Sequence, residues 1–216
     1  MDLQTQRLMG GAAGAGGDQT YIDDVFNSTT YHGNGVDDRA ITTGIDVDGE
    51  GGVVIIKRRT GSNADWIMSS TNTAATTYVS PNETNTEGTG SNRIKSFTST
   101  GFTLGDHSSV NADGSDYSAY TFRKCENFFD TGRYTGNNTN FRSIAHNLGG
   151  EADMVWIKNV TSNQSWIVYH KWKKDNSPHT KHLHTNNSVA MDSPAYLGGA
   201  PTSTHFQVLF NYEGVG

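Results

Sequence analysis

The residues best equipped for chemistry gather late in the chain, where His170, His179, His182 and His184 share one short stretch. Imidazoles at this density can hold zinc, copper or nickel. His182 and His184 share a face if the segment is a strand, because alternate strand side chains point the same way. Against a metal stands the matching stretch of the first half, with Ser70, Thr77 and Val79 at the places of His170, His182 and His184. Surface histidines are the simpler expectation, so no metal is assigned. His182, His184 and Trp172 of the nearby "HKWKKDN" are kept as candidate ligand contacts. In "DVDGEGGVVIIK", Asp46, Asp48 and Glu50 alternate and Gly51 takes the sixth place, as at the start of a calcium loop. An EF-hand closes with a bidentate acid at its twelfth position, which here is Lys57, so a polar turn leading into a strand is expected instead. Cys125 lies between Lys124 and Glu126 with no nucleophile motif, and as the one cysteine it can form no intramolecular disulfide. No carboxylate pair stands out as a glycosidase dyad. No catalytic residue and no cofactor are assigned, and a protein that is not an enzyme is the expectation.

The elements that position these residues come from a phrase used twice. "YHGNGVDDRAI" at 31–41 and "YTGNNTNFRSI" at 134–144 align through Tyr31 and Tyr134, Gly33 and Gly136, Arg39 and Arg142, and Ile41 and Ile144, which predicts a hairpin opening each copy. The likeness continues with "VVIIKRRTGSNADWIM" and "MVWIKNVTSNQSWIVY", pairing Lys57 with Lys158 and Trp66 with Trp166. It extends to "TYVSPN" at 77–82 against "HLHTNN" at 182–187, and to "TSTGFTL" against "TSTHFQV". Tyr31 and Phe102 are 71 residues apart and Tyr134 and Phe206 are 72 apart, an offset held too long for convergent turn chemistry. "VVIIK" and "MVWIK" are short β-branched apolar runs and are expected as central strands covered on both sides. "DYSAYTF" at 116–122 alternates Tyr117, Ala119 and Thr121 against Ser118, Tyr120 and Phe122, as a strand requires. Trp66, Trp156 and Trp166 occupy equivalent or adjacent strand positions and are expected to pack in the core rather than form a sugar platform. After Phe102 the first copy closes with a turn and a strand. Past Phe206 the sequence holds only "QVLFNYEGVG", so the second closing strand is missing and an apolar edge is expected unless further chain or another chain supplies it.

The composition agrees with this reading. Only 33% of residues are hydrophobic, 25 are Gly, and Thr, Ser and Asn abound, which favours many short strands joined by polar turns. A net charge of -6 with 16 basic residues gives no footprint for nucleic acid, and no apolar run is long enough to insert in a membrane. Residues 1–24 stand outside the repeat. "MDLQTQRLM" can form a brief helix with Asp2 as N-cap, and "GGAAGAGGD" behind it is a tether, so the segment reads as a docking peg on a leash.

With "MDLQTQRLMGGAAGAGGD", "YIDDVFNSTTYHGNG", "GIDVDGEGGVVIIKRR", "SFTSTGFTLG", "YSAYTFRK" and "FFDTGRYTGN", the chain resembles virion structural proteins of tailed bacteriophages. It is most similar to tail-fibre-type proteins of phages that infect marine bacteria such as cyanobacteria. The resemblance covers nearly the whole chain and is closest over the first copy; "KWKKDNSPHTKHLH" departs from it. It implies an all-β fold in which two tandem antiparallel sandwiches, jelly-roll-like, follow an anchoring segment. The expected parts are a peg and tether at 1–24, repeat one at 25–126, and repeat two at 127–216 with the chain continuing. It also implies a location on the virion, at the tail or neck. Asp2, Leu3, Gln4, Arg7, Leu8 and Met9 would meet adaptor or nozzle proteins, the assembly would be a homotrimer, and the β-domains would serve assembly or host contact through surface glycans. A carbohydrate-binding module is the alternative class, and a cell-wall or capsule hydrolase the third.

Overall fold

A computed structural model describes residues 20–171, 182–188 and 196–209 of the chain. The fold is all-β. A short 3-10 turn at Ile22–Asp24 leads into β1 (Phe26–His32), β2 (Arg39–Thr42), β3 (Gly52–Arg58), β4 (Ile67–Ser70), β5 (Thr77–Tyr78), β6 (Gly88–Thr89), β7 (Ile94–Thr98) and β8 (Gly101–Leu104). A single helical turn, α1 (Ser108–Asn111), precedes β9 (Asp116–Arg123), and the second half carries β10 (Arg142–Ala145), β11 (Met154–Ile157), β12 (Ile167–His170) and β13 (His205–Val208).

In the first half β1, β9, β3 and β4 form one antiparallel sheet in that order, and β2, β8 and β7 form a second. Both sheets contribute to one apolar core, a sandwich-like arrangement: Val54, Ile56 and Ala119 come from the first, and Ile41, Ile94, Phe102 and Leu104 from the second. β3 lies between β9 and β4, as its run of β-branched residues predicts. β9 alternates as expected, with Tyr117, Ala119 and Thr121 fully buried. The turn after Tyr31 corrects the expected hairpin. β1 pairs with β9 and β2 with β8, so the phrase carries the chain from one sheet to the other.

The second half repeats these registers. Ile41 faces Phe102 and Ile144 faces Phe206. Ile56 faces Ile67 and Ile157 faces Ile167. An isolated bridge joins Met68 to Val79, and another joins Val168 to Leu183. The Asn82 carboxamide oxygen accepts from Trp66 N at 2.9 Å, and that of Asn186 accepts from Trp166 N at 2.8 Å. These pairs move the sequence alignment of the "HLHTNN" stretch by one residue: Leu183 matches Val79, so Tyr78 and Ser80, not Thr77 and Val79, stand at the places of His182 and His184. A second core gathers Ile157, Ile167, Tyr169, Tyr196, Leu197 and Val208.

One expectation fails here. β11, which contains the "MVWI" of "MVWIK", is not central: among the described residues it pairs only with β12. Nothing described fills the place that β9 holds beside β3, so Met154 is left 48% exposed and Trp156 42% exposed. Trp156 is therefore no core residue, Trp66 is half-buried, and only Trp166, at 4% exposure, is buried as expected.

Candidate functional site

Of the residues singled out for chemistry, the structure brings His182 and His184 together, with Nε2 atoms 3.1 Å apart and rings edge to face. His184 Nδ1 lies 2.8 Å from the Trp166 carbonyl, which can only accept, so Nδ1 carries a proton. His182 is buried, and its ring meets Tyr196 edge-on at 4.2 Å, so the expected surface histidine is instead part of the packing at this position. The β12–Leu183 bridge draws the segment inward. Among the described residues no group of three or more His, Cys, Asp or Glu could hold a metal ion. Trp172, His179 and the anchoring candidates Asp2, Leu3, Gln4, Arg7, Leu8 and Met9 lie outside the described residues. Asp46 closes a polar turn by accepting from Gly49 N at 2.8 Å, and Cys125 is a free, half-buried thiol.

A buried polar hub that the sequence did not reveal fixes the first half's sheet-to-sheet turn. Asn111 is fully buried at the end of α1. Its Oδ1 accepts from Asn34 N at 3.2 Å and Arg39 Nη1 at 2.9 Å, while Nδ2 donates to the carbonyls of Val36 at 2.9 Å and Gly105 at 3.1 Å. All of its amide capacity is used, which makes burial tolerable. Arg39 also lies over the Tyr31 ring at 5.3 Å, and its second-half counterpart Arg142 lies over Tyr134 at 5.5 Å. Burial pushes the Tyr31 phenol far above its ordinary pKa and that of Tyr134 up to about 12. Tyr31 therefore remains a donor, to Val110 O at 2.7 Å. The signal for this pairing was the repeated Tyr and Arg; the Asn had no repeated partner to mark it.

The two halves meet along a seam built from residues 80–87. Trp166 Nε1 donates to Ser80 O at 3.0 Å, Lys158 Nζ to Thr84 O at 3.1 Å, and Glu87 N to Val160 O at 3.1 Å, while Thr185 donates to Pro81 O. Arg133 grips Glu87 through two bonds of 2.6 and 2.8 Å, and these hydrogen bonds hold the Glu87 carboxyl below the usual carboxylate range. Beside the seam is a cleft of about 260 Å³ walled by Ile55, Trp66, Tyr120, Phe122, Trp156 and Thr185. Trp66 stacks on Tyr120 at 6.2 Å, and Trp156 meets Trp166 edge-on at 6.2 Å. Among the described residues no charged side chain lines this cleft, so it suits a neutral ligand with apolar faces.

An all-β protein built on a repeated pattern of strand pairs, with an aromatic seam between its halves, is what these observations define. The chain belongs to the family of a domain of unknown function, DUF7483, which it matches over residues 22–214, so the match spans both copies of the repeat. No curated protein and no solved structure matches the chain.

Proposed function

We propose that the protein is a structural component of a tailed-bacteriophage virion, of tail-fibre type, and not an enzyme. In this reading 25–126 and 127–216 are tandem jelly-roll-like sandwiches, and residues 1–24 anchor them to adaptor or nozzle proteins of the tail or neck. Three copies assemble, and the outward β-surfaces serve assembly or host contact. The observation that carries the reading is the repetition of strand registers across a hydrogen-bonded seam, because a unit copied in register and locked to its neighbour makes a spacer of fixed reach. Purified particles of the parent phage should carry the chain and lose it when residues 1–17 are deleted. Particles that never contain the chain overturn the virion assignment, and particles that keep the truncated chain overturn the anchoring role.

A carbohydrate-binding module is the second reading, favoured by the aromatic cleft, since sugar rings stack on indole and phenol faces. Specific glycan-array binding that Trp156→Ala abolishes would support it over a purely structural role.

A further inference from the structure

We propose that the outer edge of β11 is a docking site for a peptide segment with the chemistry of residues 105–123: one helical turn bearing an asparagine, then a strand with aromatic residues at alternate positions. The first half shows what such a segment does. There β9 covers β3 along its whole length, setting Tyr120 opposite Ile55 and Phe122 opposite Val53. The same segment supplies Val110 O to Tyr31, the Asn111 hub to Arg39, Ser115 O to Gly33 N at 2.7 Å, and the Tyr117 ring stacked on Tyr31 at 5.1 Å.

The second half repeats two parts of this arrangement. Arg142 and Tyr134 repeat the cation-π contact, and β11 repeats the β3 register against its hairpin partner. By that equivalence Trp156 takes the place opposite Tyr120, and Met154 the place opposite Phe122. These two side chains are among the large apolar residues that the described structure leaves exposed. An aromatic strand in the β9 register would cover both while pairing the backbone groups of an edge that otherwise templates aggregation. One residue limits the fit. At Gly52 a Cβ would lie 2.0 Å from the Phe122 carbonyl oxygen, and the second half has Asp153 in that place. The docked strand must diverge there, so pairing spans residues 154–158. Nothing in this depends on whether the protein belongs to a virion.

Amide hydrogen exchange of the full chain, with and without a synthetic peptide of residues 105–123, tests the proposal. The peptide should slow exchange at 154–158 by about tenfold or more. Asp153→Gly in the chain should tighten binding, and peptides carrying Tyr120→Lys with Phe122→Lys, or Asn111→Ala, should lose most of it. Unchanged exchange at 154–158 at the highest soluble peptide concentration overturns the proposal. So does protection of these amides before peptide is added, which would assign the edge to the chain's own residues or to a second copy. Protection confined to β3 also overturns it, since the peptide would then be replacing β9 at its own site.

Discussion

A histidine can cap a helix only while a ring nitrogen keeps its lone pair, and at His107 that lone pair on Nδ1 accepts the Ser109 amide at 3.1 Å. Burial, and then the Arg93 charge, hold the His107 pKa below its ordinary value. The unfolded chain therefore takes up a proton at this site as pH falls through 6.5 while the folded protein does not. Stability should fall over that window and level off once the folded pKa is passed. Urea midpoints measured between about pH 7 and about pH 5 should show this decline, and His107→Asn, which caps without titrating, should remove this site's share. Other residue-scale contacts were half legible. The repetition of Tyr31 and Arg39 as Tyr134 and Arg142 marked them as paired, but not that guanidinium and ring would stack across a turn. Asn111 was invisible because three of its four partners are 72, 75 and 77 residues away in sequence, and no local pattern encodes them.

Strands were the most legible elements, because their periodicity is local. The alternation in β9 and the β-branched run of β3 needed no distant information, and both folded as read. A strand's neighbours are a different matter. β3 and β11 carry similar sequences, yet among the described residues one is central and the other an edge, since that depends on whether a remote segment arrives beside them. The one-residue error at His182 has the same origin: an insertion between Trp166 and the histidines left two registers open, and the bridge between Val168 and Leu183, with the Asn186 bond to Trp166 N, chose one. β9 also carries a testable flaw. The Thr121 hydroxyl is fully buried and has no hydrogen-bond partner among the described residues. Thr121→Val keeps the shape and removes the unpaired group, so it should raise stability by about 1 kcal/mol in urea unfolding.

Cooperation between the halves rests on the residue 80–87 seam, to which Trp166 contributes its indole hydrogen bond to Ser80. Trp166→Ala should cost about 3–5 kcal/mol. In calorimetry it should split one unfolding transition into two; a single, merely lowered transition would mean that the coupling lies elsewhere along the seam. β1 and β9 fix a further property of the first half. Phe26 lies opposite Phe122, so the chain comes in and goes out side by side at one end of a seven-rung antiparallel ladder. Tension across those two points would unzip the ladder rung by rung instead of shearing all of it at once. The tilted ring pairs Phe26–Phe122 and Phe122–Phe129 sit at this end of the ladder, beside the bond from Arg123 N to Val25 O, and share the first load with it. Under a pull, this half would behave as a spring-loaded clasp that yields stepwise once its phenylalanine catch is released.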